Sequence, residues 1–245
     1  MSAANSTFYG KLVELGVYPN TRNLAAYVDA FLGDTRFDGR TVLDIGGGAG
    51  LYTFVAARRG ARRAVLLEPE LSGSTRGHTE QFRARSEALG LSDRTQLAAA
   101  TIQSYDPAEL RFDVALSAAS INHWDEPACI AAHRSPKARA TYVAILRRLH
   151  DMMNPGGDLV ISDGARRNLF GDLGLRNLSQ RSIEWHKHQS PHFWASLCEE
   201  AGFERPLVSW TTYNTLGRLG ARIMNNPLAA YLTLSTFRYS MVRSA

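Results

Sequence analysis

Two hydrophobic rhythms alternate along the chain. Short apolar runs of strand character occur at 41–45 (TVLDI), 63–68 (RAVLLE), 95–101 (TQLAAAT), 112–117 (FDVALS) and 156–163 (GGDLVISD), the last announced by an Asn-Pro-Gly-Gly turn. Between them, at about 50–60, 76–89, 126–133 and 138–153, apolar positions recur at helical spacing. Strands alternating with helices predict a parallel sheet covered on both faces. Upstream, RNLAAYVDAFL at 22–32 reads as a helix that GDTRFDGR then breaks. Downstream, WASLCEEAGFERPLVSWTTY reads as helix, glycine stop and strand, and STFRYSMVR alternates as a last strand. No repeat or low-complexity segment interrupts the pattern. It predicts one domain over 1–245, with a helical arm at 1–34 serving as a lid and an insertion at 213–232 before the last strand.

Gly46, Gly47, Gly48 and Gly50 crowd the turn where the first run should become a helix. Ligands of a doubly wound sheet sit beyond the carboxyl ends of its strands, and glycine lets such a turn tighten while a ligand approaches bare backbone. The dinucleotide pattern G-x-G-x-x-G, counted from Gly46, would need a glycine at Leu51, so it fails. The spacing present is Asp44-x-Gly46-x-Gly48-x-Gly50. With VLDIGGGAG in that spacing, the chain resembles the class I S-adenosylmethionine-dependent methyltransferases over about residues 38–205.

The resemblance implies a doubly wound, mostly parallel seven-stranded sheet with helices on both faces, a Rossmann-like fold, and S-adenosylmethionine as methyl donor. It assigns Asp44, Gly46, Gly47, Gly48 and Gly50 to the donor turn. Glu68, at the end of VLLEPE, would hold the adenosine ribose, since a carboxylate can accept from both hydroxyls. Where the family carries an acidic residue for the adenine amino group, this chain departs from it with Thr101, able to accept one hydrogen bond, and Ile102, able to lie against the purine. FDVALSAASINHW is similar to the fourth strand and the turn facing the donor methyl, which adds Ser117 to the donor contacts. LRRLHDMMNPGGDLVISD resembles the following helix, turn and fifth strand.

Composition narrows the picture little. Hydrophobic residues make up 44% and charged residues 21%, a soluble globular balance. The formal charge of +5 comes from scattered pairs such as Arg62-Arg63, Arg147-Arg148 and Arg166-Arg167, with no basic stripe. Cys129 and Cys198 lie far apart, which fits a reducing cytoplasm. Neither a signal-peptide pattern nor an apolar stretch long enough to span a bilayer is present, so a cytoplasmic protein is expected.

Methyl transfer from a sulfonium needs an acceptor held in line behind the methyl, and a hydroxyl acceptor gains from a nearby base. Of seven histidines, His78 and His150 fall inside helices, as surface positions. His123 follows the fourth strand closely enough to serve as base, or packs against Trp124. SIEWHKHQSPHFW gathers Glu184, His186, His188 and His192; His188, the second candidate base, lies four residues from His192 and could share a helix face with it. No strict ligand spacing supports a metal, so none is expected. Asp163 ends the fifth strand, as a catalytic aid or a turn cap. Phe8, Tyr9, Tyr18, Trp185 and Trp194 line the pocket or build core, and core is favoured. The expected acceptor is a small or medium-sized molecule, O-methylated, of glycan or secondary-metabolite type. An RNA methyltransferase is disfavoured because SAASINHW stands where an Asn-Pro-Pro-Tyr type tetrad would be. A donor-binding protein without transfer activity, a homodimer, and contact with a membrane or lipid-linked acceptor through the apolar tail remain open.

Overall fold

The computed structural model describes residues 3–69, 77–175, 183–211, 223–233 and 236–244. Seven strands form one sheet in the order β3-β2-β1-β4-β5-β7-β6. They are β1 (Thr41–Ile45), β2 (Arg63–Leu67), β3 (Thr95–Ala98), β4 (Phe112–Ala118), β5 (Met153–Gly164), β6 (Phe203–Thr211) and β7 (Thr236–Arg243). β1 to β5 pair in parallel, whereas β7 runs antiparallel between β5 and β6. The order reverses at β1, so β1 and β4 diverge at the point where open α/β sheets hold ligands.

Period-two alternation divides each central strand between two cores. Leu43, Ile45, Val65, Leu67, Leu159 and Ile161 face α6 (Pro136–Asp151) and α8 (Pro191–Glu200), with Tyr142 and Trp194 fully buried among them. Val42, Leu66, Val114, Leu116 and Val160 face the opposite layer, which holds α1 (Ala3–Glu14), α2 (Leu24–Leu32), α3 (Leu51–Arg58) and α4 (His78–Ala88). The arm expected as a lid belongs to this second layer. Leu12 and Leu24 are fully buried, and Lys11 donates to the Ala88 carbonyl at 2.9 Å. Tyr9 and Trp194 are core residues, while Phe8, Tyr18 and Trp185 are half-buried.

Several boundaries move for local reasons. α6 begins at Pro136, two residues before the apolar periodicity, because the Ser135 hydroxyl accepts from the Ala138 amide and proline at the first position leaves no orphan N–H. α5 (Glu126–Ala131) starts in the same way from an Asp125 cap. β5 reaches back to Met153, so the Asn-Pro-Gly-Gly turn is an irregularity inside the strand, tied to β4 by the Asn154 amide donating to Asp113 at 2.7 Å. β3 ends at Ala98, which leaves Thr101 and Ile102 in the loop beyond it. Of the insertion expected at 213–232, residues 213–222 lie outside the described residues. α7 (Leu169–Asp172) follows β5, and α9 (Pro227–Leu232), capped by Asn226, leads into β7.

Candidate active site

The candidate site begins where β1 ends, at the glycine turn. Gly46 and Gly48 sit at φ 67° and 54°, in the left-handed region where other residues are strained. Sterics add to this: a Cβ on Gly47 would lie 2.5 Å from the Asp44 carboxylate, and one on Gly50 would lie 2.8 Å from the Phe82 ring. At Gly48 such an atom would meet nothing within 4 Å, so open space lies over this bare backbone. The Gly48 amide donates to Glu68 Oε2 at 2.8 Å. Glu68, half-buried at the carboxyl end of β2, makes no hydrogen bond through Oε1 among the described residues, and that oxygen could accept from a ribose hydroxyl. Open space over Gly48 beside this carboxylate fits the adenosine end of S-adenosylmethionine.

Asp44 lies under the turn. It points toward α3, where Oδ2 accepts from the Thr53 amide at 3.0 Å and the Thr53 hydroxyl at 2.7 Å, while Oδ1 is buried without a partner. Burial pushes its pKa up to about 6 despite the lowering effect of the Thr53 bonds, and nearby Glu68 adds to the rise. Thr53 had no signal in the sequence, since a residue nine positions on from Asp44 meets it only after the helix forms. Ser120 went unnoticed too. Its hydroxyl donates to the Ile45 carbonyl at 2.5 Å and bonds Ser117 Oγ at 2.8 Å, and a Cβ on Gly46 would meet the Ser120 Cβ at 2.7 Å. Ser117 is thereby fully buried in a clasp joining the ends of β1 and β4. Ala119, next to it, takes φ 52° and donates to the Ser162 carbonyl, which ties the β4 turn to β5.

Thr101 is exposed and bonds Ser104 Oγ at 3.0 Å, whereas Ile102 is 2% exposed within the core. The two neighbours therefore offer different things to an adenine: Thr101 an exposed hydroxyl already engaged with Ser104, Ile102 little accessible surface.

The candidate bases separate sharply. His123 ends a short 3-10 turn at Ile121–His123, with its side chain 56% exposed and Nδ1 at 2.6 Å from Glu126. Glu126 also pairs with Lys187, which reaches Glu184, and the His123 bond leads the effects that hold the Glu126 carboxyl below its usual range. His188, in contrast, is nearly buried, with Nδ1 at 3.0 Å from Asp163 at the end of β5. A carboxylate on Nδ1 fixes the hydrogen there and leaves Nε2 as the acceptor, a tautomer assigned from geometry. Glycine at 164 makes room, because a Cβ there would stand 3.3 Å from the ring nitrogen. Asp163 Oδ2 is buried without a partner.

His188 and His192 do not share a helix face. The Ser190-Pro191 cap starts α8 at Pro191, so His188 lies in extended backbone before it and His192 is exposed on the helix. His186 is exposed as well, and no cluster of metal-ligating side chains occurs among the described residues. His150 is half-buried and edge-on to Phe203. The Asp163 carboxylate lies one strand from the β4 turn and two from the glycine turn, roughly 5 Å per strand.

A sequence model of the family described as "Methyltransferase domain" matches residues 19–206. No curated protein matches the chain. Solved structures similar to it include the cyclase SpnF, at 16% identity and a TM-score of 0.60 over 92% of this chain and 82% of that one. A S-adenosylmethionine-dependent methyltransferase from Aquifex aeolicus aligns at 14% identity and a TM-score of 0.58, over 94% of this chain and 96% of that one. The pyocyanin biosynthetic protein PhzM aligns at 17% identity and a TM-score of 0.54 over 89% of this chain, which spans 54% of PhzM. At these identities the likeness concerns the fold.

Proposed function

The chain belongs to the methyltransferase-domain family, with the class I fold of S-adenosylmethionine-dependent enzymes, and from that we propose that it methylates an oxygen atom of a small or medium-sized acceptor. The buried Asp163–His188 pair is the observation that carries this reading. A thiolate acceptor arrives already deprotonated and needs no base, while a neutral hydroxyl must give up its proton to one. In the reaction, His188 Nε2 takes the hydroxyl proton as the oxygen lone pair forms the new bond to the methyl carbon. The carbon–sulfur bond breaks, its electron pair stays on sulfur, and the sulfonium becomes a neutral thioether. Glu68 and the open backbone at Gly48 would hold the donor's ribose and adjoining chain. The acceptor class, glycan or secondary metabolite, has a precedent of the same fold in PhzM, a pyocyanin biosynthetic protein.

His123, exposed and tied to Glu126, then has no part in the proton transfer. Single-turnover transfer of labelled methyl to a panel of hydroxylated glycosides and phenols tests the assignment. His188→Ala should lower the rate by roughly 10²–10⁴, the span expected for a lost general base, with donor affinity unchanged. His123→Ala should cost far less. Equal losses in both variants, or methylation of amines alone by the wild type, would defeat the proposal.

A further inference from the structure

His188 stands in a short strap, residues 184–189, that leads into α8, and its two chain neighbours are both gripped by one residue of α5. The Cys129 thiol, fully buried, donates to the Lys187 carbonyl at 3.1 Å. The Cys129 carbonyl accepts at 2.6 Å from the side-chain amide of Gln189, which is 2% exposed. The strap itself supplies little: one 3-10 turn at Trp185–Lys187, after which His188 takes extended backbone. Lys187 also meets Glu126 at 3.2 Å, but an ion pair near the surface adds less than the two interior bonds. Among the described residues the His188 ring makes one hydrogen bond, through Nδ1 to Asp163. A single bond sets a distance and leaves the angle of the ring to the backbone that carries it.

Packing alone does not account for this pair of bonds. The Cys129 carbonyl is among the last four of α5, which a helix leaves without an internal partner, so Gln189 also serves that helix. The thiol bond does not. It falls on the other side of His188, and burial, which pushes the thiol up to about 12, keeps its hydrogen in place. Both bonds lie in the interior, where water does not compete for them. A reacting group displaced by about 1 Å can lose about 10²-fold in rate, so a base works only from a chain fixed around it. We infer that Cys129 and Gln189 are positioning residues, a clamp that fixes the backbone on both sides of His188 and so holds its ring against Asp163 in the tautomer that leaves Nε2 bare. The consequence for catalysis rests on the methyltransferase reading; the hold on the ring does not.

Nitrogen-15 NMR of the histidine side chains at about pH 8, above the titration of an ordinary imidazole, reads the hold directly. The His188 signals are those that His188→Gln removes. The wild type should show one protonated and one bare ring nitrogen. In Gln189→Leu and in Cys129→Ala the two signals should draw together as the tautomers exchange, while Cys129→Ser, which keeps a donor, should retain the wild-type pair. Far-UV circular dichroism and urea unfolding show which variants fold, and where one fails the other carries the test. In single-turnover transfer to the hydroxylated panel, Gln189→Leu and Cys129→Ala should be slower by about 10-fold to 10²-fold with donor affinity unchanged. Wild-type signals in the folded variants overturn the inference, and so do averaged signals in the wild type itself. Signals that draw together in variants whose rate, like that of His188→Ala, equals the wild type's would uphold the clamp and overturn the assignment of His188 as base instead.

Discussion

Replacing Asp44 by Asn tests the electrostatics of the donor turn. Asp44 is fully buried, and its pKa rises from 3.8 to about 6, chiefly because burial penalises the charged form. The difference, 6 minus 3.8, is about 2.2 pKa units, or about 3 kcal/mol at 1.36 kcal/mol each. The folded-state pKa is raised, so between 3.8 and about 6 the folded chain keeps a proton that the unfolded chain has lost. Stability from this group is therefore fully present below 3.8 and falls as pH climbs through about 6. Asn is uncharged at every pH, and its oxygen can still accept both Thr53 bonds. Urea unfolding should find Asp44→Asn more stable than the wild type at about pH 7.5, by up to about 3 kcal/mol, and nearly equal to it at about pH 4. A variant less stable at the higher pH would mean that the ionised bonds to Thr53 outweigh burial, and would refute the reasoning. The same variant should bind S-adenosylhomocysteine more weakly, since a buried charge held against its own desolvation marks a site kept for function.

Two further outcomes follow from the geometry. Glu68→Ala should weaken S-adenosylhomocysteine binding in calorimetry by about 1.5–3 kcal/mol, the scale of hydrogen bonds to a charged group; unchanged affinity in a folded variant would place the ribose elsewhere. Cys129 and Cys198 are buried, and burial pushes both thiols up to about 12, so a disulfide reagent should label neither in the native protein at neutral pH within the time that labels the urea-unfolded chain.

The sheet and the glycine turn were legible in the sequence because each is written locally. Strand and helix periods record which face is buried, and TVLDIGGGAG places its carboxylate, its turn and its helix within a dozen residues. Glu68 follows from that frame, since it directly follows the next strand. What the sequence could not rank was its histidines. His123 looked favoured because it is close in sequence to β4, yet it stands 56% exposed against Glu126, while His188 reaches Asp163 across 25 residues of chain. That meeting depends on the Ser190-Pro191 cap, which starts α8 late, and on the glycine at 164, which leaves room for the ring. The Ser120 clasp likewise joins β1 to β4 only because those strands are neighbours. The α9 segment shows the limit most plainly. NPLAAYL carries two leucines, yet the helix it forms buries its alanines, because small side chains are what fit beneath it once α7 and β6 are in place. Periodicity fixes how a segment folds along itself; which residues face each other across the molecule is decided by strand order and by the space left between packed layers.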